Sequence, residues 1–185
     1  MSRFGDDYDD DEAFPNEAEL WRANALRALK GKRGRRVLSD LREALLALPE
    51  KRLIASAMCT VAPDTRRQSI GDDAYGIEEF NEIVTANGEG VCAIGAYLWY
   101  RKVKDGADPV EAFDSLPLIY GDNSPSGGIH DTATSAKREA GVVFSLAWNL
   151  AYRNDETYGN LTPEQRYTAF LEWIDSELSV TSVAS

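Results

Sequence analysis

The sequence predicts a mainly α-helical protein, a compact bundle of five to six helices with room for one small β-hairpin and a disordered acidic arm in front. Three observations carry that expectation. Apolar residues recur at helical spacing, most clearly Val37, Leu41, Ala44, Leu45 and Leu48. Two strong helix-start signals occur, Asp108-Pro109-Val110-Glu111 and Thr162-Pro163-Glu164-Gln165. No residue from Ala140 to Tyr152 is charged, which suits an interior helix. The expected organisation is an arm over 1–15, one helical domain over 16–178 and a frayed tail over 179–185.

Taken in order, residues 1–14 are acidic and nearly free of aliphatic side chains, so they cannot bury enough surface to order themselves. Asn16 with Glu19 forms a capping-box pattern. It opens a helix over about 17–30, with Trp21, Ala25, Ala28 and Leu29 on one face. Gly31 and Gly34 are read as interruptions before a helix over about 35–48, which Pro49 stops. In 51–61, Leu53, Ala55, Ala57, Cys59 and Val61 alternate as in a strand, although their small size also permits a helix. A hairpin would pair 53–61 with 84–93. Residues 62–90 are rich in Asp, Gly, Asn and Thr and predict loop, with one short helix near 77–85.

After Gly88 and Gly90 comes VCAIGAYLWYRKVKDG, read as a buried helix with a basic last turn. A short helix follows from Asp108 to about Leu116, then loop over 117–130. Residues 133–153 are expected to form one helix. The last helix, from Thr162, presents Tyr167, Phe170, Leu171, Ile174 and Leu178.

The chain has 185 residues and a formal charge of −11, unevenly distributed. Residues 1–20 contribute −7, residues 21–36 contribute +7, and the remaining body is dilutely acidic. No apolar run reaches the roughly 18–20 residues needed to span a bilayer, and no apolar signal segment opens the sequence. Two cysteines and one histidine exclude a Cys/His zinc cluster and a disulfide framework. No Walker A loop, dinucleotide GxGxxG or GxSxG elbow occurs. No cofactor or metal is therefore expected, and the protein reads as non-enzymatic.

The primary binding candidate is the basic block Lys30, Lys32, Arg33, Arg35 and Arg36. Five cations within seven residues make an anion-facing patch. The plain alternative is a solvated turn compensating a helix C-terminus. Secondary candidates are Asp9, Asp10 and Asp11 in the arm, which would compete with phosphates for those cations, and Arg101 with Lys102. The latter pair, with Trp99, Tyr100 and Lys104, would form an aromatic and cationic rim for an unpaired base; a snorkelling helix end is the favoured reading.

Cys92, His130 and Asp131 suggest a cysteine hydrolase arrangement, against the apolar setting of Cys92. Asn154, Asp155, Glu156 and Glu164 offer oxygens to a hard cation, without EF-hand spacing. Trp21, Trp99, Trp148 and Trp173 read as anchors between helices. Nucleic-acid mimicry is disfavoured because the acids of the body form no dense helical stripe.

Three blocks, ELWRANALRALKGKRGRRVLSDLREALLALPEKRLI (19–54), GEGVCAIGAYLWYRKV (88–103) and LAWNLAYRNDETYGNLTPEQRYTAFLEWI (146–174), occur in this order. Together they resemble a group of small bacteriophage and prophage proteins without assigned function. Relative to that pattern the chain carries extra residues around 62–86 and 105–130. The resemblance implies a phage origin and an accessory role in the infected cell, and carries over no site residue. The resulting expectation is a non-enzymatic interaction protein in the cytoplasm of a bacterial host, binding a host or phage protein. A nucleic-acid-binding regulator using 30–36 is the alternative, and a Cys92/His130-dependent hydrolase the further one. No membrane partner is expected.

Overall fold

A computed structural model describes residues 15–60, 83, 88–119 and 128–179, with side chains from residue 23 onward. Among these residues the protein is mainly helical. Seven α-helices occur: α1 Pro15–Lys30, α2 Lys32–Ala47, α3 Ala93–Lys104, α4 Pro109–Asp114, α5 Gly128–Ala140, α6 Phe144–Tyr152 and α7 Pro163–Ser179. A π-helical turn, Arg153–Thr157, continues α6. No helix among them is long and apolar enough to cross a membrane. The acidic arm, the short helix expected near 77–85 (Ile83 aside) and the tail beyond Ser179 lie outside the described residues.

Helix α3 is the centre, packing against α2, α4, α5 and α6. Its residues from Ala93 to Trp99 are all buried, as the uncharged run VCAIGAYLW requires. Helix α2 buries Leu38, Leu41, Ala44 and Leu45 against α3 and α7. Each buried leucine contributes roughly 1.5–3 kcal/mol. Helix α7 closes the other side with Tyr167, Phe170 and Ile174. Both predicted starts form: Asp108 accepts from the Val110 and Glu111 amides. Thr162 and Gln165 exchange reciprocal capping bonds of 3.1 and 3.3 Å.

Several expectations are corrected. Gly34 does not interrupt a helix; it sits inside α2 because a Cβ there would lie 1.8 Å from the Ala28 carbonyl oxygen. The residue thus allows α1 and α2 to cross backbone to backbone, and Gly31 alone separates them. The single helix expected over 133–153 is two, and α5 begins at Gly128 within the expected loop. Gly141 adopts φ +64 and its amide reaches the Lys137 carbonyl, the left-handed glycine ending of a helix. The chain then turns through Val142 and Val143 into α6.

No hairpin forms among the described residues. In its place is one antiparallel bridge, Cys59 to Val91. The segment 53–60 is buried on both sides, since Ile54 and Met58 are as enclosed as Leu53, Ala57 and Cys59. Its amides donate to several separate partners: Leu53 to Pro163, Ile54 to Val91, Met58 to Ile119 and Thr60 to Gly90. With acceptors so scattered, no single strand ladder results.

Candidate functional site

The two largest polar assemblies behave oppositely. The first is interior. Arg166, at the start of α7, is 2% exposed. Its guanidinium donates to four carbonyls: Leu53 at 2.6 Å, Gly159 and Leu161 at 2.9 Å, and Tyr158 at 3.1 Å. Desolvation lowers its pKa from the usual arginine value, partly offset by the charge of Asp155. Beside it, the buried Asn154 donates to the Ile54 carbonyl and to Asp155 Oδ1, and accepts from the Ala93 amide at the start of α3. Asp155 Oδ1 also accepts from the Ser56 amide, and Ser56 is held at φ +62. Burial pushes the Asp155 carboxyl up to about 6 despite these bonds. The π-turn, the 53–60 segment and the first turns of α3 and α7 are thereby stitched together.

Cys92 belongs to this seam. It caps α3, its Sγ accepting from the Gly95 amide at 3.4 Å, and it is 2% exposed. Burial, reinforced by Asp155, raises its pKa to about 12, so the thiol stays protonated and un-nucleophilic at neutral pH. His130 lies instead on the exposed first turn of α5, 3.6 Å from Asp131 and edge-on to Phe144. No hydrogen bond or ion pair joins it to Cys92. Asn154 Oδ1 and Asp155 Oδ1 accept from amide donors, and Glu164 lies near Arg52. Among the described residues no group of three or more His, Cys, Asp or Glu could hold a metal ion.

The secondary cations are also tied into the fold. Arg101 reaches the Tyr97 hydroxyl. Lys102 reaches Ser115 and Glu139, and Lys104 reaches Asp40 and Glu43. The Tyr100 hydroxyl donates to Glu43, which with Lys104 holds that carboxyl below its ordinary range. Trp99 stacks on Phe113 and donates to the Pro109 carbonyl. The expected rim is a set of ties from α3 to α2, α4 and α5. Arg153 is similarly placed over the Trp173 ring at 4.2 Å. Trp148 stacks on Tyr152. The arm residues Asp9, Asp10 and Asp11 lie outside the described residues.

The second assembly is the basic junction, and it divides. Arg35 turns inward, donating to the Glu177 and Leu178 carbonyls that end α7. Arg36 approaches Asp40 at 4.0 Å, with its side chain 85% exposed. Lys30, Lys32 and Arg33 are exposed, as is Arg27 one turn earlier, and no carboxylate among the described residues pairs with them.

Beside the junction lies a groove that sequence reasoning missed. A cleft of about 300 Å³ runs between Gly31, Lys32 and Arg33 on one side and Gly141, Val142 and Leu146 on the other. A second, of about 540 Å³, continues it past Asn24, Arg27 and Phe144. The two share Ala28 and Val143. Val143, 49% exposed, is the most open apolar side chain of the floor. The first turns of α2 and α6 both open here, and neither carries a side-chain cap. The legible signal would have been Gly141, which ends α5 and creates the opposing wall.

No protein-family model, curated protein or solved structure matches this chain.

Proposed function

We propose that this protein is a non-enzymatic accessory protein that acts by binding another protein through the α1–α2 junction. One observation carries the reading. Arg101, Lys102, Lys104, Arg35 and Arg166 are engaged by groups of the fold, whereas Arg27, Lys32 and Arg33 are exposed along the lining of the clefts and Lys30 is exposed beside them. Exposed cations bordering an apolar groove match the composition of a protein interface, with a polar rim around a dehydrating centre. A phosphodiester backbone would use the rim and leave the floor wet. The three-block resemblance to phage and prophage proteins supports a setting in the cytoplasm of an infected bacterial host, with a host or phage protein as the partner.

The test is co-purification from bacterial lysate with and without phage infection, comparing the wild type with an Arg27→Glu, Lys30→Glu, Lys32→Glu, Arg33→Glu variant. The expected result is a defined protein captured by the wild type and lost from the variant. Identical captured sets would refute the reading, and so would salt-sensitive retention of DNA alone.

A further inference from the structure

We infer that the groove between the α1–α2 junction and the α5–α6 turn receives an acidic segment of a partner protein bearing one or two bulky aliphatic side chains. This rests on the functional reading above and specifies the chemistry of the partner. The charge of the groove selects the sign of the occupant: Arg27, Lys32 and Arg33 border it, and among the described residues no acidic side chain lines either cleft. Among the described residues, Asp40 and Glu43 face Lys104, and Glu139 faces Lys102 and Arg138.

The floor selects the side chains. Val143 stands open, Ala28 and Val37 are half-buried beside it, the buried Val142 and Leu146 back them, and Gly141 leaves space above the backbone. A Cβ built on Gly141 meets nothing within 4 Å. A cleft of about 300 Å³ accepts one or two branched aliphatic groups. Burying such a group supplies the apolar driving force, and carboxylates flanking it reach the bordering cations. The aliphatic anchor supplies affinity, and the acids supply orientation and speed of encounter.

The full-length chain is titrated with a fluorescent peptide of Asp and Glu carrying two Leu one helical turn apart, and with the same peptide carrying Ser for Leu. Methyl NMR of Val142, Val143 and Leu146 locates the contact. The Leu peptide should bind at least about tenfold tighter than the Ser peptide and shift those three methyl signals. Val143→Asp should remove that advantage. The variant keeps the fold, because Asp is a preferred residue at the N-cap that Val143 occupies. Lys32→Glu with Arg33→Glu should weaken both peptides by about tenfold or more.

Equal binding of the two peptides, lost only in the Lys32→Glu, Arg33→Glu variant, overturns this inference and leaves the charge-based reading standing. Indifference of both peptides to that variant overturns both. Self-association abolished by Val143→Asp, or peptide binding seen only after deletion of residues 2–13, assigns the groove to a second copy or to the chain's own acidic segment and also overturns it.

Discussion

Arg166 and Arg33 carry the same side chain in opposite circumstances. Arg166 is enclosed, with its donors spent on four backbone carbonyls, of which Tyr158 also accepts from the Leu161 amide. Arg33 stands on a rim with no carboxylate among the described residues to meet it. The interior cation closes a fold that would otherwise bury orphan acceptors, at a large desolvation cost. The rim cation meets no carboxylate among the described residues, and the proposed interface uses it for that reason. A basic residue therefore says little by its charge; its acceptors say what it is for.

The sharpest way to break this contrast is Arg166→Ala. Leaving the buried Leu53 carbonyl and the part-buried Gly159 and Leu161 carbonyls without this donor should destabilise the protein by about 3 kcal/mol or more in urea unfolding, with Arg166→Lys recovering only part. Gly34→Ala should follow at about 2–3 kcal/mol, because its Cβ would force the α1–α2 crossing apart. A thermal melt reads it, and binding at the groove should fall with it.

Asp155 provides a test by pH. Its carboxyl titrates near 6 in the fold against an ordinary 3.8, so the folded state holds the proton more tightly than the unfolded chain. The associated stability is fully present below about pH 3.8 and is lost as pH rises through about 6. That loss is on the order of 2–3 kcal/mol. Asp155→Asn should flatten this limb of the stability–pH curve and match or exceed the wild type at pH 7.

Smaller effects are expected at the junction. Arg35→Ala removes the donors from the end of α7 and should cost about 1 kcal/mol. Lys32→Glu with Arg33→Glu should change unfolding stability by less than about 0.5 kcal/mol while abolishing partner capture. A large stability loss in that double variant would place these cations with Arg166 and dissolve the contrast.

Helix existence was legible wherever the signal was local. The Asp108 and Thr162 starts, the α2 stripe and the buried α3 follow from side-chain spacing and nearest-neighbour capping, which operate within one or two turns. Gly141 was misread because a glycine within an apolar run looks like a tolerated helix residue, and only its positive φ reveals an ending. Segment 53–61 looked like a strand because small apolar residues alternate there. Its acceptors lie at Gly90, Val91, Ile119 and Pro163, distances along the chain that no pattern encodes. The cations at 30–36 were legible as a cluster, but their division was not: Arg35 and Arg33 differ only in what α7 brings near them.

By itself, the sequence determined the helical class, most helix starts, the central buried helix and the place where positive charge concentrates. These depend on interactions between residues a few positions apart. Only the tertiary structure decided which arginine is consumed and which is offered, why Cys92 is silent, and that Val142, Val143 and Leu146 meet Lys32 and Arg33 across a groove. Desolvation and hydrogen-bond satisfaction depend on what lies within a few ångströms in space, and residues a hundred positions apart in the chain supply it here.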